Sequence, residues 1–117
     1  MSDNKPYDLT TIYAISDNNP EFLEKLLLVF TEAVTADIAA MKVAAANNNW
    51  VEVGQLAHKL KPSLSHFGIT TLTDVIRALE HNNGSDPEDL TAHTNKVIKV
   101  MDEVMQGLRE DFPAVFK

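Results

Sequence analysis

Residues 49–67 read NWVEVGQLAHKLKPSLSHF, and the apolar positions in this stretch recur at the spacing of an α-helix. Asn49, three residues before Glu52, resembles a capping box, which favours a helix that begins at residue 50. At about 100° per residue, the apolar side chains fall within one band of the helical wheel. That band holds Val53, Leu56, Leu60, Leu64 and Phe67. The stretch is therefore predicted to form one amphipathic helix over residues 50–67.

Helix signals also lie on both sides of this stretch. Asn19-Pro20-Glu21 combines an N-cap residue, a proline at the first helical position and an early acid, which is typical of a helix start. Apolar residues at spacings of three and four extend that helix to about Asn47. Asp86-Pro87-Glu88 predicts the start of a last helix, and residues 9–15 predict a short extra helix near the N-terminus.

The region between the central and last helices predicts one more, shorter helix. Thr71 followed by Asp74 repeats the capping signal, and Asn82-Asn83-Gly84 is typical of a helix end. No stretch of the chain alternates convincingly with period two. The prediction is an all-α protein, an antiparallel up-down-up-down four-helix bundle with a short extra N-terminal helix.

Composition limits the classes of function. The 117 residues are 44% hydrophobic, which suits a single domain over residues 1–117 with its own core. Seventeen acids against ten lysines and arginines give a formal charge of −7, so nucleic acid and anionic membrane surfaces are not expected as partners. There is no cysteine, and neither a bilayer-spanning run nor a secretory signal is visible. We expect a cytoplasmic protein.

The face of helix 50–67 opposite the apolar band carries a histidine among small or basic residues. Gly54, Lys61, Pro62 and Ser65 all lie within about 60° of His58 on the wheel, so His58 is predicted to point into solvent. An exposed imidazole is substantially neutral at cytoplasmic pH and therefore nucleophilic. A phosphoryl group on it would have room beside Gly54 and Ser65 and a compensating cation in Lys61. Pro62 lacks an N–H, so the helix is expected to loosen or kink beside His58.

Residues 57–68, AHKLKPSLSHFG, resemble the signature of histidine phosphotransfer (HPt) domains. The signature consists of an alanine, the phosphoacceptor histidine, a lysine three residues later and a glycine ten residues later. The matching residues here are Ala57, His58, Lys61 and Gly68. Pro62 and Ser65 depart from the pattern, because many members of the family have glycine at both positions. Both replacements are compact, so a phosphate site remains compatible with the sequence.

The resemblance extends beyond the signature. Residues 7–30, YDLTTIYAISDNNPEFLEKLLLVF, resemble the short first helix of the family and the beginning of its second helix. Leu79-Glu80 resembles the end of the third bundle helix. Nearly the whole chain is covered by the likeness.

The resemblance implies a phosphorelay carrier rather than an enzyme. Such a domain takes a phosphoryl group from an aspartate of one receiver domain and passes it to another, without kinase activity of its own. The receiver, in a response regulator or a hybrid sensor kinase, supplies the acidic pocket and Mg²⁺, so this chain needs no cofactor. We expect a monomer that binds its receiver transiently through residues 51–65, including Gln55, and one adjacent helix. Residues 82–88 are expected at the far end of the bundle.

The same residues also allow other functions to be considered. A degenerate HPt-like bundle could bind a receiver without exchanging phosphate. The dimerisation helix of a sensor kinase usually has an acid after its histidine and a proline five residues on, whereas here Lys59 and Pro62 follow. A metal site is not expected, because His58 and His66 are separated by about 12 Å along a helix and no helical H-x-x-x-H pair occurs. Hydrolase chemistry has no support in the scattered carboxylates. His66, His81 and His93 are predicted to be ordinary polar residues.

Overall fold

A computed structural model describes residues 6–116, and these residues form five α-helices and no strand. The helices are α1 (Thr10–Ser16), α2 (Pro20–Ala46), α3 (Trp50–His66), α4 (Thr73–Glu80) and α5 (Pro87–Asp111). The predicted all-α class is confirmed. The short N-terminal helix followed by four further helices also matches the predicted order of elements.

Three of the helix starts are the ones that local side-chain chemistry predicts. The side chain of Asn19 accepts hydrogen bonds from the backbone N–H groups of Glu21 and Phe22, and α2 begins at the next residue, a proline. Asn49 accepts from the Glu52 N–H at the start of α3. Asp86 accepts from the N–H of Glu88 at the start of α5. Each cap satisfies N–H groups that have no partner within the helix.

The predicted capping box at Thr71 is wrong. Helix α4 begins at Thr73, its N-cap position is Leu72, and no side chain caps it. The hydroxyl of Thr73 instead donates to the Thr70 carbonyl. Leu72 is fully buried, so the anchoring of this apolar side chain in the core, rather than a polar cap, determines where α4 starts.

The core lies between the four longer helices. Helix α3 contacts α2 and α4, α5 contacts α4 and α2, and α1 contacts α2. The four main helices thus form a closed ring of neighbours; their alternating direction stays a prediction. Buried core residues from these helices include Leu27, Phe30, Val34, Met41, Leu60, Leu79, Val97, Met101, Val104 and Leu108. No helix within residues 6–116 is both long enough and apolar enough to cross a bilayer.

Helix α3 has the two faces that its sequence predicts. Val53, Leu60, Leu64 and Phe67 are buried, and Leu56 is partly buried at the edge of the core. Phe67 also stacks on Phe30 of α2, with ring centroids 3.7 Å apart. The helix continues through Pro62 to His66, so the proline does not end it.

Tyr7 and Asp8, shortly before α1, are held against the ends of α5 and α3. The Asp8 N–H donates to the Phe67 carbonyl, and a Cβ on Gly68 would lie 2.6 Å from the Asp8 carbonyl oxygen. Tyr7 packs on Gly107, and its hydroxyl donates to the carboxylate of Asp111. Burial, reinforced by that carboxylate, raises the pKa of the Tyr7 phenol well above its usual range. Tyr7 and Asp8 are therefore packed as part of the domain.

Candidate functional site

His58 stands on the exposed face of α3, as the helical wheel predicts. Its side chain is 73% exposed, and the preceding residue, Ala57, is completely buried. Helix α3 packs on both α2 and α4. The imidazole is therefore presented to solvent from a helix that is packed on its other side.

Glu80, the last residue of α4, reaches the imidazole from the neighbouring helix. The Glu80 Oε2 atom lies 2.5 Å from His58 Nδ1, and the Glu80 side chain is only 11% exposed. The hydrogen bond from His58 holds the pKa of the Glu80 carboxyl below its usual range, and Lys61 adds to this effect, while partial burial acts in the opposite direction. An ionised carboxylate only accepts hydrogen bonds, so Nδ1 carries the proton and donates a hydrogen bond to Glu80.

This contact determines which ring nitrogen can react. In a neutral imidazole with a protonated Nδ1, the lone pair is on Nε2. The Nε2 atom is then the nucleophilic atom of His58. The carboxylate also orients the imidazole ring, as a third residue orients the general base in sites with an activated nucleophile.

Lys61 completes a three-residue network one turn along α3. Its ammonium group lies 3.1 and 3.3 Å from the two carboxylate oxygens of Glu80. Lys59, the other lysine beside His58, faces away and pairs with Asp37 of α2 at 3.2 Å. Of the two lysines, only Lys61 shares a carboxylate with His58.

Gly54 allows α4 to come close enough for Glu80 to reach His58. A Cβ at Gly54 would lie 2.8 Å from the Leu79 carbonyl oxygen and 3.3 Å from Asn82 Nδ2. Such a distance to backbone is not tolerated without movement. The end of α4 therefore packs directly on Gly54. The expectation that Gly54 leaves room for a phosphoryl group stays a prediction.

Asn82 also links the C-terminal end of α4 to α3. Its amide nitrogen donates to the carbonyls of Trp50 and Leu79, at 2.7 and 2.8 Å. The first of these bonds links Asn82, two residues after the end of α4, to the start of α3. The short helix that carries Glu80 is thereby tied directly to the helix that carries His58.

A groove of about 580 Å³ lies beside the imidazole. It is lined on one side by α3 and on the other by the end of α4 and the loop after it. The lining residues are Val51, Gly54, Gln55, His58, Glu80, His81, Asn82 and Asn83. The prediction that residues 82–88 lie at the far end of the bundle is therefore wrong for Asn82 and Asn83, because both share a groove with His58.

The other predicted site residues fall into separate places. Ser65 is exposed and lines a second groove with Lys61 and Glu80, towards the C-terminal half of α3. Pro62 is exposed and lines neither of these two grooves. Gly68 adopts a left-handed conformation (φ 62°) in the turn after α3, where a side chain would meet Asp8. Gly68 therefore shapes the turn and does not line the site.

The comparisons with known proteins bear on this site. A family model described as the Hpt domain matches residues 25–111, which include His58, Lys61 and Glu80. The chain belongs to the Hpt domain family. No curated protein and no solved structure gives a significant match.

Hpt domains are histidine phosphocarriers of two-component signalling, and they interact with receiver domains. They are generally not enzymes. The exposed imidazole with an anchored Nδ1 is an arrangement that suits this carrier chemistry. Within residues 6–116, no group of three or more histidine, aspartate or glutamate side chains could hold a metal ion.

Glu80 is the residue of this Hpt domain site that the sequence analysis did not find. Its position at the end of the third bundle helix was noted from the family resemblance, but no role was assigned to it. Glu80 is 22 residues from His58, so no helical periodicity relates the two. The available signal was Gly54, since a glycine inside a helix, on the face next to an exposed histidine, indicates close approach of another backbone.

Proposed function

We propose that this Hpt domain relays a phosphoryl group between receiver-domain aspartates through Nε2 of His58. In the loading step, Nε2 attacks the phosphorus of an aspartyl phosphate, a P–N bond forms, and the P–O bond to the aspartate breaks. The aspartate leaves as a carboxylate. Unloading is the reverse of this step on a second receiver, so no net oxidation or additional reactant is needed.

The observation that carries the proposal is the hydrogen bond between His58 Nδ1 and Glu80 Oε2, at 2.5 Å. An imidazole that is phosphorylated on Nε2 and keeps its Nδ1 proton bears a positive ring charge. Glu80 is already in place to stabilise that charge. The carboxylate thus assists both the nucleophile, by fixing its tautomer, and the charged ring that forms.

Lys61 is proposed to assist the phosphoryl group itself. Its side chain is 52% exposed, and its ammonium group is anchored to Glu80, one helical turn from His58. From there it can offer charge-assisted hydrogen bonds to phosphoryl oxygens while keeping contact with the carboxylate. Gln55, exposed on the groove beside the imidazole, and Ser65, on the other side of Glu80, are proposed to line the docking surface.

The receiver is proposed to dock over the groove between α3 and the end of α4. This surface exposes Val51 and Gln55 around His58. A small apolar area with polar surroundings favours a transient interface with affinity on the order of micromolar. We propose that residues 1–117 act as one monomeric, antiparallel four-helix domain, and that the receiver supplies the Mg²⁺.

Phosphoryl transfer from a receiver tests the proposal. A receiver domain charged with radiolabelled acetyl phosphate and Mg²⁺ should give acid-labile label on the wild-type protein and none on His58→Gln. His66→Gln is the matched control, because His66 is exposed on the same helix and should leave labelling unchanged. Binding of the receiver without any labelling would contradict the proposal and favour an adaptor without phosphotransfer.

The docking surface can be mapped in the same system by NMR. Titration with the unphosphorylated receiver should shift amide resonances of residues 51–65 and of residues 80–83. A footprint confined to α2 and α5 would contradict the proposed docking geometry.

A further inference from the structure

A second groove adjoins the His58 network, and the proposed transfer gives no role to Arg77 on its α4 side. It lies between the C-terminal half of α3 and the length of α4, and it shares Lys61 and Glu80 with the network. Its volume is about 220 Å³. Glu80 separates it from the larger groove that contains the imidazole.

Arg77 adds a positive charge to this second groove. It is exposed on α4, lines the groove opposite Lys61, and forms no ion pair within residues 6–116. Two cations therefore face one carboxylate, Glu80, in a chain whose formal charge is −7. The groove is locally cationic on an acidic protein, so it favours an anionic group.

The rest of the lining suits a short acidic side chain. The hydroxyls of Ser65, Thr70 and Thr73 stand at exposed positions around the groove, and Leu64, Ile69 and Ile76 are buried beneath it. The hydroxyls of Ser65 and Thr70 can donate hydrogen bonds to a carboxylate, whereas the Thr73 hydroxyl already donates to the Thr70 carbonyl. The apolar floor accommodates the methylene groups of the inserted side chain. Arg77 adds a planar pair of N–H donors that matches a carboxylate.

The size of the groove decides between possible occupants. The groove has a volume of about 220 Å³. Small-molecule pockets are usually larger, about 300–1,000 Å³, and a helix with its side chains is about 10 Å across. The groove therefore fits one inserted side chain rather than a cofactor or a helical segment.

We infer that the groove formed by Lys61, Ser65, Thr70 and Arg77 receives an aspartate or glutamate side chain of the docked receiver domain. The inference rests on the proposed function, because it requires a receiver to dock at His58. The inserted residue must differ from the phosphorylated aspartate, since that aspartate has to reach the imidazole. Arg77 would act in docking and contribute to the choice of receiver, without touching the reacting atoms.

Binding and transfer measured on the same variants separate this inference from the proposed function. The probe is a receiver domain that labels the wild-type protein after charging with acetyl phosphate. Its Kd is measured by calorimetry at low salt for wild type, Arg77→Gln and Arg109→Gln. Arg109 is the matched control, because it lines a groove between α2 and α5 that shares no lining residue with either groove at the site.

Arg77→Gln should weaken binding about threefold to fivefold, the upper range for a solvent-accessible ion pair, and the loss should shrink at high salt. Arg109→Gln should bind as wild type does. Labelling of His58 in Arg77→Gln at saturating receiver should proceed at the wild-type rate, because the reacting groups are intact. Arg77→Glu should weaken binding to the unmodified receiver. Affinity should recover only with a receiver whose partner acid is changed to lysine.

Equal Kd values for wild type and Arg77→Gln would overturn the inference, and so would an equal loss in Arg109→Gln. If inorganic phosphate perturbs the Arg77 side chain while receiver affinity is unchanged in Arg77→Gln, the groove is a small-anion site and the inference also fails. Absence of labelling in the wild-type protein would instead refute the proposed function.

Discussion

The Nδ1 atom of His58 and the Oε2 atom of Glu80 lie 2.5 Å apart, although their residues belong to different helices. The contact assigns the proton to Nδ1 and leaves Nε2 to solvent. The reactivity of an exposed histidine on α3 is thereby set by the last residue of α4. The packing of the two helices is consequently part of the chemistry of the site.

Glu80→Gln should slow phosphoryl transfer to His58 about tenfold. The substitution keeps the shape of the side chain and removes its charge, and a hydrogen bond to a charged group contributes about 1.5 kcal/mol or more. Single-turnover labelling from a phosphorylated receiver measures the rate. Glu103→Gln, an exposed acid on α5, is the control, and an equal rate in both variants would show that the carboxylate has no part in transfer.

The stabilisation that Glu80 provides should depend on pH in a definite direction. Its carboxyl pKa is lowered from an ordinary value of 4.5, mainly by the hydrogen bond from His58. A carboxyl whose pKa is lower in the folded state stabilises the fold above its unfolded-state pKa, and this stabilisation is lost as pH falls through the folded-state value.

Urea denaturation of wild type and Glu80→Gln at pH 7 and pH 3 should therefore show a larger difference in unfolding free energy at pH 7. In a His58→Gln background the difference between the two pH values should become smaller. A difference that grows on acidification would contradict this assignment of the cause.

Truncation of Lys61 should affect phosphoryl transfer, whereas truncation of Lys59 should affect stability. Lys61→Ala removes the cation next to the proposed phosphoryl site and should slow transfer up to about fivefold, with little change in stability. Lys59→Ala leaves the largely buried Asp37 carboxylate without its cation and should lower the unfolding free energy by about 0.5–1 kcal/mol, with transfer unchanged. Transfer rates and urea midpoints of both variants check the pattern, and a slower transfer in Lys59→Ala alone would reverse the assignment.

Asn82→Ala should destabilise the domain, whereas Asn83→Ala should not. Asn82 donates to the Trp50 and Leu79 carbonyls, and losing these bonds should cost about 1–2 kcal/mol. Asn83 is exposed, so its truncation should change stability by less than about 0.5 kcal/mol. Thermal unfolding distinguishes the two, and equal melting temperatures would show that Asn82 does not fasten α4 to α3.

The features that sequence predicts correctly in this chain are local ones. The caps at Asn19, Asn49 and Asp86 involve backbone groups two or three residues away, so a short stretch contains all the information. The exposure of His58 follows from the apolar periodicity of its own helix. Both kinds of prediction need no knowledge of how helices pack.

The errors concern contacts between helices. Glu80 could not be assigned a role, because its meeting with His58 depends on how closely α4 approaches α3 above Gly54. The predicted start of α4 was wrong because burial of Leu72 overrides the capping potential of Thr71. The position of Asn82 beside His58 likewise depends on the docking of α4, which no periodicity encodes.

Helix α4 has only eight residues, and Glu80 is the last of them. Isolated helices shorter than about 12–15 residues are marginal in water, so α4 persists only while it is docked on its neighbours. Any partial opening that releases α4 would remove Glu80 from His58 and with it the preferred tautomer of the imidazole. We therefore expect the reactivity of His58 to depend on the local folding equilibrium of α4, whose free energy amide hydrogen exchange measures.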